Sequence, residues 1–561
     1  MNASNNRALG FIVVVLFIAG CGGGGGGAGS SPPPSPPPTP PPPPPVITTP
    51  PLTLSSSVPA NAATDVVRSV VPTLVFSTSV DPATVIPANF VLSTLSGNQT
   101  VTVSAAGTQV TITPSSALQP LLAYSLTVNT AVHGLGGEQL ASPVSLTFTT
   151  RGGAWSAPVL IESDDAGGAF SPQTAIDDDG NALAVWSQSD GTRNNVWSNG
   201  YVSGNGWGSA GVRETNPGEA LGADVAADGS GNALAVWAQS DGTRFNIWAS
   251  TFTQLGGWST PAPIENDPED TRNVQLAMNA NGDAFAVWTQ VRLGRPIVWA
   301  RRYVAGSGWG AANSIQGNTD FDGFAPQVAI DPNGLAVAVW HQTDGIRYNV
   351  WANRYTPGSG WGGAELIEND NTDSALSAQV AIDASGNALA VWQQHDGTRF
   401  NIMSNRLPSG GNWGSAVTID NEDEPATAPH IAANDAGDAI VLWTQQSGAL
   451  QNIAANRYTT ANGWATAQVI DTQDGPALQS RIAITASGAA HALWVQDDGT
   501  RNNLIGSRYV PGSGWETPAP IETESGDAFD PDITVSGSGT VQAVWRQHDG
   551  LRFNIWASRY E

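Results

Sequence analysis

From about residue 172 to the C-terminus, one pattern of apolar and polar positions is written eight times. Small and large apolar side chains alternate up to a Trp, and a Gln follows two residues later. The tryptophans are Trp186, Trp237, Trp288, Trp340, Trp392, Trp443, Trp494 and Trp545, spaced 51 or 52 residues apart. A period of this length marks one supersecondary unit repeated against copies of itself. A representative unit has four strand-length segments, 326–331, 336–342, 349–355 and 361–368. Turn residues separate them at Asn333-Gly334, Asp344-Gly345 and Pro357-Gly358-Ser359-Gly360. Alternation bounded by such turns predicts a four-stranded antiparallel meander.

In the second segment Ala182, Ala184, Trp186 and Gln188 share one face, and Leu183 and Val185 the other. Both faces are apolar, so each meander must be sandwiched between its neighbours, which is how propeller blades pack. The tryptophans are expected to form the blade cores. A Gly six residues before each Trp, from Gly180 to Gly539, supplies the turn between the first two strands. A lone segment of fourth-strand type, 155–162, precedes the first hairpin, and the last unit lacks that strand. Pairing the two ends leaves no open sheet edge. Residues 151–561 are therefore expected to be an eight-bladed β-propeller with one-plus-three strand closure, not an open solenoid.

Residues 52–150 follow another rhythm. Thr73–Phe76, Val101–Val103, Gln109–Thr113, Tyr124–Val128 and Leu146–Thr149 are β-branched period-two runs between Pro, Asn, Gly and Ser turns. They predict an antiparallel β-sandwich, which makes the whole chain all-β. Ser57-Val58-Pro59-Ala60, Phe76-Ser77 before Val80-Asp81-Pro82, Leu118 before Tyr124-Ser125-Leu126, and the closing Phe148-Thr149-Thr150 resemble the bacterial Ig-like domain of the SbsA type. That resemblance implies a structural spacer or adhesive module without chemistry of its own.

The first 21 residues read as a processing segment: Arg7, an apolar run from Leu9 to Ala19, then Ile18-Ala19-Gly20-Cys21. The ending resembles the lipobox of bacterial lipoproteins, which implies that Cys21 is acylated and becomes the first mature residue. Cys21 is the only cysteine in the chain, so an attachment point explains it better than a stray thiol. Acyl chains would hold the protein at a membrane without spanning it. Gly22 after the Cys, where Asp is absent, favours the outer membrane of a Gram-negative cell. Residues 22–51, glycines and then a proline-rich run, read as a disordered linker with a stiff distal part.

Charge narrows the partners. All 22 basic residues are Arg, and the net charge is −26. Of the 48 acidic residues only Asp65, Asp81 and Glu138 precede residue 151, leaving 45 against 20 arginines in the C-terminal part. Such a surface excludes nucleic acid and fits a neutral or cationic ligand. A monomer binding a protein or glycan is expected.

Chemistry repeats with the fold. Seven residues after the Trp stand Arg193, Arg244, Arg295, Arg347, Arg399, Arg501 and Arg552, with Leu450 in the sixth unit. The connection leaving each meander begins with Glu162, Glu214, Glu265, Glu368, Asp420, Asp471 or Glu522. In a meander both groups emerge on one rim. Two readings stand there: arginine–carboxylate pairs that fix loops, or a ring of shallow glycan sites completed by Trp197, Trp248, Trp299, Trp351 and Trp556. The segment Ser189-Asp190-Gly191-Thr192 faintly resembles the Asp box of sialidases, but departs from it in spacing. The six histidines, His133, His341, His395, His430, His491 and His548, lack metal-ligand spacing. No catalytic constellation or cofactor motif is found, so an enzyme is not expected. Asn318-x-Asp320-x-Asp322-Gly323 and Asp177-Asp178-Asp179-Gly180 are incomplete matches to a calcium loop. The expected function is non-catalytic recognition of a protein or envelope polymer at the cell surface. Carbohydrate binding at repeated sites is the alternative, and a glycan-active hydrolase or lyase is the least favoured reading.

Overall fold

A middle strand that is apolar on both faces is stable only between two other layers, and that constraint organises the C-terminal part of the chain. The computed structural model describes residues 50–561 except 95, 96, 121, 165, 266, 371 and 473, and of residue 65 the backbone only. The expected signal segment, Cys21 and the stretch 22–49 lie outside the described residues. Among the described residues, no helix is long and apolar enough to cross a membrane.

Residues 159–560 form eight antiparallel sheets. In the first, an inner strand Ala169–Ile176, a middle strand Ala182–Ser189 and a third strand Asn194–Val202 follow one another as hairpins. The fourth segment differs from expectation. It is broken into Gly206–Trp207 and Gly211–Val212, both paired to the third strand, and runs unbroken only in the third sheet, as Gly308–Ser314. The first piece is held by its Trp, which meets Tyr201 edge-on at 5.7 Å in the first sheet. All eight turn glycines have φ between 78° and 84°, a conformation that costs any other residue strain.

The tryptophans fill the spaces between sheets, not the centre of a single one. Trp237 packs with Leu183, Val185 and Val196 of the preceding sheet, and Trp494 with Ile440, Leu442 and Ile453. All eight are essentially inaccessible to solvent, each worth ~5 kcal/mol of transfer free energy before entropy is counted. A buried indole N–H needs an acceptor, and the repeated Gln provides it. Trp Nε1 donates to Gln Oε1 in every sheet, from 2.8 Å in the first to 3.1 Å in the third and fourth.

The series closes on itself. Each inner strand touches the next, and Ala169–Ile176 touches the last inner strand, Ala528–Val535. Trp186 accordingly packs on Val544, Ile555 and Ala557 of the last sheet. Val159–Leu160 supplies that sheet's fourth strand, pairing with Trp556 and Ala557, while Trp155 bridges Tyr560. The arrangement is of β-propeller type.

The N-terminal domain has two sheets around one core that includes Leu74, Phe90, Ile112, Tyr124 and Phe148. The predicted runs are strands, joined by Leu54–Val58, Ala63–Val66 and Phe90–Thr94, which local alternation did not reveal. Ala63–Val66 pairs parallel to Val144–Thr150, so the domain is not purely antiparallel. It contacts the ring at the hairpin turn of the last sheet and beside the seventh. Arg508 Nη2 donates to Pro120 O at 2.6 Å, and Gln119 Nε2 to Gly537 O at 3.5 Å.

Replacing Gln239 by Leu should cost about 1–3 kcal/mol in chemical denaturation, because the Trp237 indole would lose its only acceptor in a dry core. Gln290→Leu should cost less, since the Gln290 amide nitrogen is buried without a partner and its removal relieves that defect.

Candidate functional site

Every inner strand carries the same irregularity opposite the repeated Trp. One extra residue is inserted in the register, between Phe170 and Gln173 in the first sheet and at the equivalent place in the other seven. Within each bulge one residue takes a left-handed conformation: Ser171, Gly222, Asn273, Ala325, Ser377, Ala428, Gln479 and Asp530, with φ between 46° and 60°. Only one of these is glycine, so seven positions each store roughly 1–2 kcal/mol. Bulges re-aim the side chains that follow them. Here the residue two places on belongs to the lining of a single axial cavity of about 800 Å³.

That residue stands thirteen before the Trp, and in no sheet is it apolar. Four sheets contribute amides, Gln173, Gln275, Gln327 and Gln379; the others contribute Asp224, His430, Arg481 and Asp532. Three of the ionisable groups are consecutive, on the sixth to eighth sheets. Asp224 lies beyond the Gln173 position, and the amides of the third to fifth sheets fill the remaining arc. The amides of Gln327 and Gln379 make no hydrogen bond to the protein among the described residues. Among the described residues Arg481 donates only to its neighbour's carbonyl, Ser480 O, at 3.0 Å.

The two carboxylates also bind backbone. Asp224 Oδ2 accepts from Leu276 N and Asp532 Oδ2 from Thr174 N, both at 2.8 Å, so each ties its strand to the next. The second of these links spans the junction between last and first sheets. Both acids open onto cavity water but are surrounded by protein, and burial raises their pKa. Asp224 is pushed up to about 7, with Asp532 adding to the rise and the Leu276 N–H opposing it. Asp532 is pushed up to about 6, with Arg481 opposing. Burial, reinforced by Arg481, pulls His430 down to about 3, so its imidazole is neutral at pH 7.

Below the polar ring, a second cavity of about 370 Å³ is lined by residues such as Ile176, Val225, Met278 and Ile330 together with Thr174 and Thr534, and most of the surface exposed to it is polar. Above the ring, at the loop ends of the inner strands, aromatic and cationic groups meet. Arg272 lies over Phe245 at 5.5 Å, and Arg546 over Phe553 at 4.6 Å while pairing with Asp530 at 2.9 Å.

The rim residues are engaged with the fold's own loops. Arg193 Nη1 donates to Asn216 O and, at 2.7 Å, to Gly218 O, the same carbonyl that Gln239 of the next sheet binds at 2.8 Å. Arg399 and Gln445 converge in this way on Glu424 O, and Arg501 and Gln547 on Glu524 O. Arg244 and Arg552 hold Asn246 and Asn554, and Arg347 faces Asp344 at 3.6 Å. Glu162, Glu214, Glu265, Glu368 and Glu522 are all buried. Glu214 accepts from Val196 N at 2.9 Å, replacing a ladder partner. The structure brings arginine and acid together, at 3.2 Å for Arg501 and Glu522 and 4.0 Å for Arg552 and Glu162. It does not bring in the third-strand aromatics: Trp197 pairs with Trp186 at mid-sheet and packs against the core between sheets. Asp322 pairs with Arg295, and Asp177 caps its turn through Asn181. Among the described residues no group of three or more His, Cys, Asp or Glu could hold a metal ion.

The axial ring was not among the sequence expectations, because its positions do not repeat one residue type. A column thirteen residues before the Trp that is polar in all eight units, yet changes from Gln to Asp, His and Arg, is its signal.

Residues 47–150 match the family described as the bacterial Ig-like domain. No curated protein sequence matches the chain. Among solved structures, a protein of unknown function from Dyadobacter fermentans is similar at 9% identity and a TM-score of 0.39, over 73% of this chain and 99% of the other. An ulvan lyase from a new polysaccharide lyase family is similar at 11% and 0.42, over 65% and 96%. An α-L-arabinofuranosidase from Fusarium graminearum is similar at 12% and 0.36, over 55% and 99%.

Because the folded pKa of Asp224 lies above its unfolded value, ionisation opposes folding. Its favourable contribution is complete below pH 4 and is lost as pH rises towards about 7. Asp224→Asn keeps an acceptor for Leu276 N but turns its amide NH2 towards Val225 N, a cost present at every pH. The change in melting temperature on substitution should therefore be more favourable at pH 8 than at pH 4 by about 2–4 °C, read by thermal unfolding at the two pH values.

Proposed function

We propose that this protein is a cell-surface lipoprotein that presents a non-catalytic recognition module. In this reading Cys21 is the acylated anchor, at the outer membrane, and residues 22–51 are a spacer. An Ig-like sandwich of SbsA type carries an eight-bladed propeller with one-plus-three closure, which binds an envelope polymer or protein. The observation that carries it is the axial ring: eight equivalent positions, polar in every sheet, lining one cavity within the ~300–1,000 Å³ range of small-ligand sites. Eight sheets in closed succession and the pairing of Val159–Leu160 with the last of them support the blade count and closure.

The placement of the N-terminal domain supports outward presentation. It touches Gly537, in the turn at the far end of the last inner strand, whereas the polar ring lies towards the opposite, loop end. Among the described residues, the N-terminal domain therefore leaves the mouth uncovered. The non-catalytic reading is supported by the ring carboxylates. Both oxygens of Asp224 accept backbone N–H groups, from Val225 and Leu276, so it is engaged where an acid or base would need freedom.

Two outcomes test this reading. Cys21→Ser should abolish incorporation of an alkyne-palmitate probe and move the protein out of the membrane fraction. The full-length chain in a sugar-free detergent should co-sediment with envelope material from the producing cell. The double variant Gln327→Ala/Gln379→Ala should weaken that binding about tenfold, the loss of one or two net hydrogen bonds. Binding unaffected by the double variant would remove the axial cavity from the function.

A further inference from the structure

Resting on the recognition role above, we propose that the axial cavity binds an uncharged polyhydroxylated ligand, a neutral glycan, one per molecule.

The first argument is the chemistry of the ring. All eight members are planar polar groups, amide, carboxyl, guanidinium or imidazole, and none is a hydroxyl or an ammonium. All but the imidazole can form two parallel hydrogen bonds, the pattern that neighbouring sugar hydroxyls match, since each hydroxyl both donates and accepts. The free amides of Gln327 and Gln379 offer both kinds of partner on one arc. Arg481 and Asp532 offer a donor fork and an acceptor pair on the other.

The second argument is charge. Against Arg481 stand two carboxylates, and the surrounding molecule carries a net charge of −26, so a polyanion would be repelled as it approached the mouth. Inside the cavity a cation would meet Arg481, whereas a neutral ligand meets neither penalty.

The third argument is the axis. One cavity on one axis gives one site, in contrast to a rim that repeats in every sheet.

The test uses the full-length protein in a sugar-free detergent. Neutral oligosaccharides of defined linkage, among them gluco-, manno-, galacto- and xylo-hexaoses, are arrayed beside hexagalacturonate, and hits are titrated by calorimetry. The expected result is binding of a neutral oligosaccharide at one site per chain. Affinity should fall about tenfold in Arg481→Ala and in Gln327→Ala, and should be unchanged in Leu255→Ser, on a fully exposed loop. Three results would overturn the inference: no neutral oligosaccharide bound in a ring-dependent way, preference for hexagalacturonate, or a stoichiometry of several per chain. If ring-dependent binding to envelope material persists while no neutral oligosaccharide binds, the recognition role stands and only this ligand class fails.

Discussion

The structure depends on one repeated hydrogen bond, from a buried indole N–H to the carboxamide of the Gln two residues along. A sheet enclosed on both faces has no water to satisfy a polar atom, so Trp, the residue large enough to fill the gap between sheets, brings a donor that must be answered locally. Gln answers with its oxygen, and its nitrogen reaches on to the connection entering the same sheet, as Gln496 does with Gly475 O. That carbonyl environment is shared with an arginine from the preceding sheet in several units. Packing between sheets, closure of loops and registration of neighbours are thus one linked network.

Once this network registers the sheets, each inner strand keeps one set of residues in the core, as Ala220 and Val225 do beside Trp237. Every copy also carries a bulge with a left-handed residue, and the bulged segment presents a polar side chain to the cavity. The repetition that stabilises the outer parts of the sheets thus places eight equivalent positions on the lining of one cavity. There the sequence varies in chemistry while keeping polarity. Seven of the eight left-handed bulge residues are not glycine, and strain of this kind gathers at functional sites.

Much of the fold was legible in the chain. The 51- or 52-residue period, the turn glycines and the unpaired segment before the first hairpin led to eight meanders and to closure by an N-terminal strand. These features are local or periodic, and a period-two pattern with its turns specifies a hairpin without knowledge of its neighbours. The broken fourth strand and the parallel pairing of Ala63–Val66 were not legible, because each depends on the strand that happens to lie alongside. The position of the tryptophans was half legible: burial followed from the pattern, but that they fill the space between sheets followed only from the ring. The rim arginines and acids were found by repetition, and their engagement with neighbouring carbonyls appeared only in three dimensions.

By itself, then, the sequence determined the repeating unit, its strands and turns, and the requirement that units enclose one another, since these follow from side-chain period and turn chemistry. The tertiary structure decided that residues from some fifty to some three hundred positions apart, Asp224, Arg481 and Asp532 among them, share one cavity. Convergence on an axis is a property of the closed ring, and no stretch of chain shorter than the ring encodes it.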